Sequence, residues 1–458
     1  MHYLRAGFLL AVAACGGGGG GSAGHLPDAP ASADAAIDGT ADSSVTLTVT
    51  DLGAPKAGVH VYFVAADGTP VKTMDTGADG SASAVIAEGG SVTALDPFSL
   101  QAAPAPGSGT LVSYLGVKPG DHLVLSNSDR SSVSFTLTAG SVNDATDYDV
   151  ATTCGNQSIS PAASGAPIAT GTVQLDGCHG AADVAILARK VDAQSKVSTP
   201  ISGLFHAGTI VDGQAVNLTE SYAALTELTV TYMNSAIGTP SRVSHAPIVA
   251  RGPLGPFRVG VTGSGGTLTG TIEEPAVAAA TGAVTTEFEL SSGTHKVVEW
   301  GASSPGYVLD LSGALVRGLV DPPSYDFAAG TVVWTETADG ATPESMTTLV
   351  GVTRSAASRK WNWLVIAPYT PGKLALPKLP TDVADWTPAA GDTVRLDHVS
   401  LLKLTGGYDA LRARNIDVGQ NDDQTLIVGP SGRFTSFDSV GSLPLTAATR
   451  RATFGLPR

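Results

Sequence analysis

The chain reads as an all-β protein built from tandem antiparallel β-sandwiches. Three observations predict this: strict two-residue alternation of apolar and polar side chains, enrichment of Val, Thr and aromatics in the alternating runs, and Gly, Pro, Asp or Asn between them. No window of a dozen residues sustains a 3.6-residue apolar period. The 55 glycines and 28 prolines in 458 residues suit a chain with many turns.

The strands follow in order from Val45. VTLTVT (45–50) places Val45, Leu47 and Val49 on one face and three threonines on the other. VHVYFVA (59–65) and SASAVIA (81–87) come next, with Thr76-Gly77-Ala78-Asp79-Gly80 as the turn before the second of them. Further strands are expected between Leu111 and Leu125 and over VSFTLT (133–138), which repeats the first pattern with Val133, Phe135 and Leu137. ELTVTY (227–232), TEFELS (286–291), TVVWTE (331–336), WNWLVI (361–366) and TVRLDHV (393–399) continue the alternation. Helical signals are confined to Glu220–Leu228 and Asp409–Arg414, and EEPAVAAATGA (273–283) reads as a loop or a short helix.

The N-terminus reads differently. MHYLRAGFLLAVAAC carries one cation, Arg5, ahead of an apolar run from Ala6 to Ala14. That run is far shorter than the roughly 20 residues a membrane span needs and fits the apolar region of an export signal. Its ending, Val12-Ala13-Ala14-Cys15, resembles the lipobox of bacterial lipoproteins. The resemblance implies cleavage before Cys15, a diacylglyceryl group on its sulfur and an acylated amino terminus; several acyl chains give stable anchoring. Gly16, where such proteins carry Asp for inner-membrane retention, leans the expectation to the outer membrane. Six glycines follow Cys15, and residues 16–44 hold only Leu26 and Ile37 as large aliphatics, so a flexible linker is expected there. Its r.m.s. span would be about 30 Å.

Residues 45–96 resemble the carboxypeptidase regulatory-like, or transthyretin-like, seven-stranded Ig-like sandwich. The likeness rests on the opening VTLTVTD, the Gly53–Val59 approach to the next strand, and the TGADG turn into SASAVIA and GGSVTALD. Gly77 stands where that family usually has Asp. The resemblance implies a non-catalytic spacer, folding or binding domain. The expected organisation is a signal peptide over 1–14, the lipidated Cys15 and linker over 15–44, the first sandwich over 45–138, a second over 139–240, and one or two more over 241–458.

Once Cys15 is acylated, Cys154 and Cys178 remain as an even pair in an exported chain, and a disulfide is the first reading. It would close a loop of about 25 residues and stabilise by roughly 3–4 kcal/mol on the chain-entropy model. Zinc is the alternative, with only His179 near as a further ligand.

Charge excludes one class. Lys and Arg number 26 against 41 Asp and Glu, a net charge of −15, so a general nucleic-acid binder with a basic surface is not expected.

Candidate chemistry is sparse, and no cofactor or metal site is expected. Gly20-Gly21-Ser22-Ala23-Gly24 matches a hydrolase elbow in letters but lies in the poly-Gly segment. Ser400-Leu401-Leu402-Lys403 matches S-x-x-K, yet its surroundings alternate as a strand, which puts Ser and Lys on opposite faces. His398, beside Asp397 and Arg395, reads as an exposed strand position. Asp75, Asp79, Asp417 and Asn421-Asp422-Asp423 read as turn residues rather than a calcium loop.

All five tryptophans lie in the C-terminal half, at 300, 334, 361, 363 and 386. Trp361 and Trp363 share a strand face and are candidates for glycan stacking, although the apolar Leu364-Val365-Ile366 that follows also suits a core position. The expected function is a non-catalytic structural, adhesive or ligand-binding lipoprotein of the outer membrane, contacting a glycan or a surface protein. A carbohydrate-binding module and a secreted hydrolase with its site inside 241–458 are the competing readings. The direction in which the tryptophans point separates them.

Overall fold

The computed structural model describes residues 43–439, apart from 52, 96–107, 128–131, 154, 162–167, 177–182, 196, 209–212, 235–238, 251, 259, 265–266, 278, 280, 303–305, 418–426 and 428–429. The fold is all-β, with antiparallel pairing dominant and a single α-helix among the described residues, Gly407–Arg412. Cys15, the linker over 16–42, Cys154 and Cys178 lie outside the described residues.

Alternation works as expected in the opening strand, Ser44–Asp51: Val45, Leu47 and Val49 are fully buried, and Thr46, Thr48 and Thr50 are half-buried. This strand pairs antiparallel with Ser81–Val85 and parallel with His122–Asn127. The TGADG segment is a tight turn. The Gly77 amide donates to the Ser81 carbonyl at 2.8 Å, and Gly80 sits at φ 75°, where a Cβ would lie 2.5 Å from the Val49 carbonyl oxygen. Only glycine combines that backbone with that approach.

The dominant element is a sheet of 13 strands. From one edge it runs Pro70–Asp75, His60–Val64, Gly90–Leu95, Ser108–Val117, Arg359–Pro368, Ser345–Arg354, Thr393–Leu404, Gly432–Ser439, Gly293–Ala302, Thr281–Leu290, Arg242–Val249 and Gly252–Pro253, with Phe257–Arg258 also paired to Arg242–Val249. The joint between the early and late parts of the chain is parallel, with Trp361 opposite Gly109, Trp363 opposite Leu111 and Ile366 opposite Tyr114. The segment expected as a separate first module thus shares one hydrogen-bonded sheet with the C-terminal region. Its core shares residues too: Trp300, Ile366, Leu402, Leu404, Tyr408, Leu411 and Phe434 pack with Val45, Leu47, Phe63 and Tyr114.

Three other cores complete the body. Ser132–Ala139, expected at the end of the first module, pairs instead with Ile168–Asp176, and its Phe135 and Leu137 join Tyr148, Val150 and Ile186 in a second core. The third gathers Trp334, Trp361, Trp363, Val365 and Phe437. The fourth lies between the large sheet and a four-stranded sheet, around Val230, Tyr232, Ile272, Phe288 and Leu309. It draws on Thr226–Met233, so packing runs across the expected break at 240.

The helix over Gly407–Arg412 matches the expected signal at 409–414. Glu220–Leu228 is not helical: it holds an isolated bridge at Ala223 and then the start of Thr226–Met233. Its alternating end, Leu228 and Val230 inward, outweighs the short helical signal.

Candidate functional site

The hairpin Ser345–Arg354/Arg359–Pro368 carries the residues of greatest interest. A one-turn 3-10 helix over Ser355–Ala357 closes it, with Ser358 in the left-handed region at φ 50°. Trp361 and Trp363 point from one face of the second strand into the third core, 2% and 0% exposed. The expectation that this pair could present a stacking platform is therefore corrected: both indoles are buried in the third core. The Trp363 Nε1–H donates to Ser113 Oγ at 2.8 Å, and Ser113 is 2.8 Å from Thr93 Oγ1, a buried polar link between the parallel strands.

Trp386 is half-buried, whereas the other four tryptophans are buried. It ends a short 3-10 turn, Ala384–Trp386, and meets Trp361 edge-to-face with centroids 5.8 Å apart. Gly109 is its seat. A Cβ there would lie 2.5 Å from the indole Cη2, so a glycine lets the ring rest on the strand.

Arg354 fixes this loop. Its Nε donates to Asp392 Oδ1 at 2.9 Å and its Nη2 to Oδ2 at 2.7 Å, while its remaining donors reach the carbonyls of Asp385 and Thr387. The fork holds the Asp392 carboxyl below its ordinary range, and the same hydrogen bonds raise the guanidinium. The Arg354 guanidinium carbon lies 5.2 Å from the Trp361 ring centroid, and that of Arg359 lies 4.6 Å from the Trp386 centroid. Sequence reading counts Trp386 among the five tryptophans without singling it out, and passes over Arg359. Their only signal was a tryptophan inside the polar, non-alternating run TDVADWTP.

Other polar groups act as pins inside the fold. The His245 Nδ1–H donates to Glu274 Oε2 at 2.7 Å between two sheets, and the Tyr307 hydroxyl stands 3.5 Å from His245 Nε2. Burial, with Glu274 and Glu299 nearby, pushes the Tyr307 phenol up. A Cβ at Gly282 would lie 2.2 Å from His245 Nε2, so the cluster is tightly filled. Burial would raise the Glu336 carboxyl, but hydrogen bonds from the Tyr369 hydroxyl, the Gly372 amide and the Trp334 indole, together with Arg317, hold it below the usual range.

The remaining sequence candidates resolve simply. His398 is 4% exposed rather than on the surface, and burial pushes its imidazole down to about 4. It lies beside a bulge, where the register against Ser345–Arg354 shifts between Leu349 and Val350. Asp397 accepts from Arg395 Nη2 at 3.0 Å. Ser400 lies on a strand and donates to Asp438 rather than to Lys403. Asp79 accepts from the Ser81 amide and hydroxyl, an ordinary turn arrangement, and Asp75 meets His60 across a strand pair. Among the described residues no cluster of three or more His, Cys, Asp or Glu side chains could hold a metal ion.

No family model matches the chain, and no curated protein matches it. Among solved structures, the TIE protein of Bacillus anthracis is similar at 12% identity over 58% of this chain, with a TM-score of 0.14. The chain spans about half, 50%, of that protein's length. The major pilin of Streptococcus pyogenes is similar at 10% identity over 53% of this chain and 98% of the pilin, with a TM-score of 0.10. A tetra-tandem repeat from the extending region of a large adhesion protein is similar at 14% identity over 78% of this chain and 89% of the repeat, also with a TM-score of 0.10.

Proposed function

We propose that the chain is an envelope lipoprotein, acylated at Cys15 and held at the outer membrane, whose β-sandwich body serves a non-catalytic structural or adhesive role. The observation that carries the non-catalytic part is the use made of its reactive side chains. Arg354 and Asp392, His245 and Glu274, and Glu336 with its three donors each spend their hydrogen bonds on this chain's own partners, at positions that tie loops and sheets together. Groups committed in this way hold loops and sheets in register with one another. Anchoring rests on Val12-Ala13-Ala14-Cys15 and on the Gly-rich segment behind it. A Cys154–Cys178 disulfide suits the exported compartment this reading requires.

The test is the Cys15→Ala variant of the full chain in a diderm host. It should lose incorporation of labelled fatty acid and leave the detergent phase on extraction. Fatty-acid labelling and membrane retention equal to those of the parent would remove the lipoprotein reading.

A further inference from the structure

We propose that the edge strand Gly306–Asp310 pairs with the same strand of a second copy, making a two-fold dimer through one continuous sheet. The strand is the last of the four-stranded sheet, after Gly260–Ser264, Thr267–Glu274 and Thr226–Met233. It pairs parallel with Thr226–Met233 on one side, and no strand lies on its other side among the described residues. The Tyr307 hydroxyl donates to the Gly301 carbonyl at 3.4 Å, and Arg433 Nη1 donates to the Asp310 carbonyl at 3.2 Å. Gly301 is near the end of Gly293–Ala302, and Arg433 near the start of the neighbouring Gly432–Ser439. The strand therefore crosses one end of the large sheet, a place where a partner can reach it.

An unpaired strand edge is a template for a further strand, and the other edges of the described sheets are blunted. Pro70–Asp75 opens on a proline and carries Lys72, whose Nζ donates to the Ser83 carbonyl on the edge strand Ser81–Val85 at 3.0 Å. Ser198–His206 holds Pro200 and a register shift, Ile168–Asp176 has a shift after Ile168, and Gly260–Ser264 has two glycines. The remaining edge strands run four residues or fewer. Gly306–Asp310 has no proline, lysine or register shift within it, and its centre is Tyr-Val-Leu. Symmetry and charge name the occupant. Full antiparallel overlap of this strand with itself sets Val308 opposite Val308 and Gly306 opposite Asp310. Val308 is 60% exposed, so the pairing covers the one apolar side chain that the strand shows to solvent. Copies with a net charge of −15 repel, and approach is least opposed at an uncharged face. Thr229, Thr231 and Met233, on the outward face of the adjoining strand, carry no charge, and the two Asp310 carboxylates would stand at opposite ends of the pair. Pairing of copies does not depend on anchoring at Cys15.

Sedimentation equilibrium of the purified full chain carrying Cys15→Ala, so that acyl chains play no part, should show monomer and dimer in exchange. Adding Val308→Lys sets two lysines against each other and should weaken association at least about tenfold, since each dimer carries the change twice. Val85→Lys, at an exposed valine on a different edge strand, should leave association unchanged. Near-UV circular dichroism equal to that of the parent will show that the Val308→Lys protein is folded. Val308→Cys should give a disulfide-linked dimer on mild oxidation, because residues directly opposite in antiparallel strands lie within disulfide reach. Val85→Cys should give no more cross-linked dimer than the parent. A parent that stays monomeric at high micromolar concentration overturns the proposal. So does equal association by the folded Val308→Lys protein, or cross-linking by Val308→Cys no greater than by Val85→Cys.

Discussion

At the scale of single residues, the two faces of the opening strand make the sharpest contrast. Leu47 is fully buried among Val45, Val49 and Phe63, whereas Thr48 is half-buried on the other face. Leu47→Ala removes apolar contacts and leaves a cavity, so it should cost about 2–5 kcal/mol in urea unfolding. Thr48→Ala should cost no more than about 1 kcal/mol. Equal losses would mean that both faces of the strand are core. Residue burial was legible wherever alternation was clean, as at Val45, Leu47 and Val49. It was not legible at His398, because central strands of a large sheet are covered on both faces and polar residues there become interior. Nor was it legible for Trp361 and Trp363: a two-residue spacing says that the rings share a face and leaves open which side that face meets.

At the scale of elements, the short helix Gly407–Arg412 acts as a clamp. The Tyr408 hydroxyl donates to the Leu115 and Ile366 carbonyls, Arg412 Nη1 donates to the Gly116 carbonyl at 2.7 Å, and Arg412 Nε lies 2.7 Å from Asp121 Oδ2. Arg412 is 3% exposed, so removing it takes the donor from the Gly116 carbonyl and leaves the Asp121 carboxylate with the Lys118 amide but no countercharge from the helix. Arg412→Ala should therefore destabilise the protein by about 3–5 kcal/mol, the range for breaking a buried ion pair. A loss under about 1 kcal/mol by thermal unfolding would show the clamp to be ornamental. The strands themselves were legible in sequence because their period is local. The clamp was not, since its partners lie about three hundred positions apart (Arg412 and Gly116 differ by 296) and no local pattern encodes that meeting.

At the scale of the whole molecule, one sheet joins segments that sequence alone divides. Composition suggests where the chain divides, but nothing in the residues 108–117 announces that their neighbour is 359–368 rather than a strand nearby. A fragment spanning 43–240 should consequently fail to protect the amides of Ser108–Val117 from hydrogen exchange, lacking the partner strand and core residues such as Ile366 and Phe434. Protection equal to that in the full chain would restore the independent first module. Acid should weaken the same body. Burial pushes the His295 and His398 imidazoles down to about 4 from 6.5. Their contribution is thus complete above about pH 6.5 and is lost as pH falls toward about 4, where the unfolded chain binds more protons; the sum is of the order of a few kcal/mol. The thermal midpoint should fall across that window. A midpoint flat between about pH 6.5 and 4.5 would contradict the burial of these rings.

The parallel joint also sets a timetable. Trp363 and Ser113, which meet in it, are separated by 250 positions. At synthesis rates of about 5–20 residues per second, Ser108–Val117 would wait roughly ten to fifty seconds for its neighbour to be made. During that interval its open backbone edge invites pairing with another nascent chain. Contacts this distant also slow the search for the native arrangement once all the strands exist. Maturation of this protein is therefore governed by its last-made third, and a chain stalled before residue 368 would be a hazard to its neighbours rather than a partly working molecule.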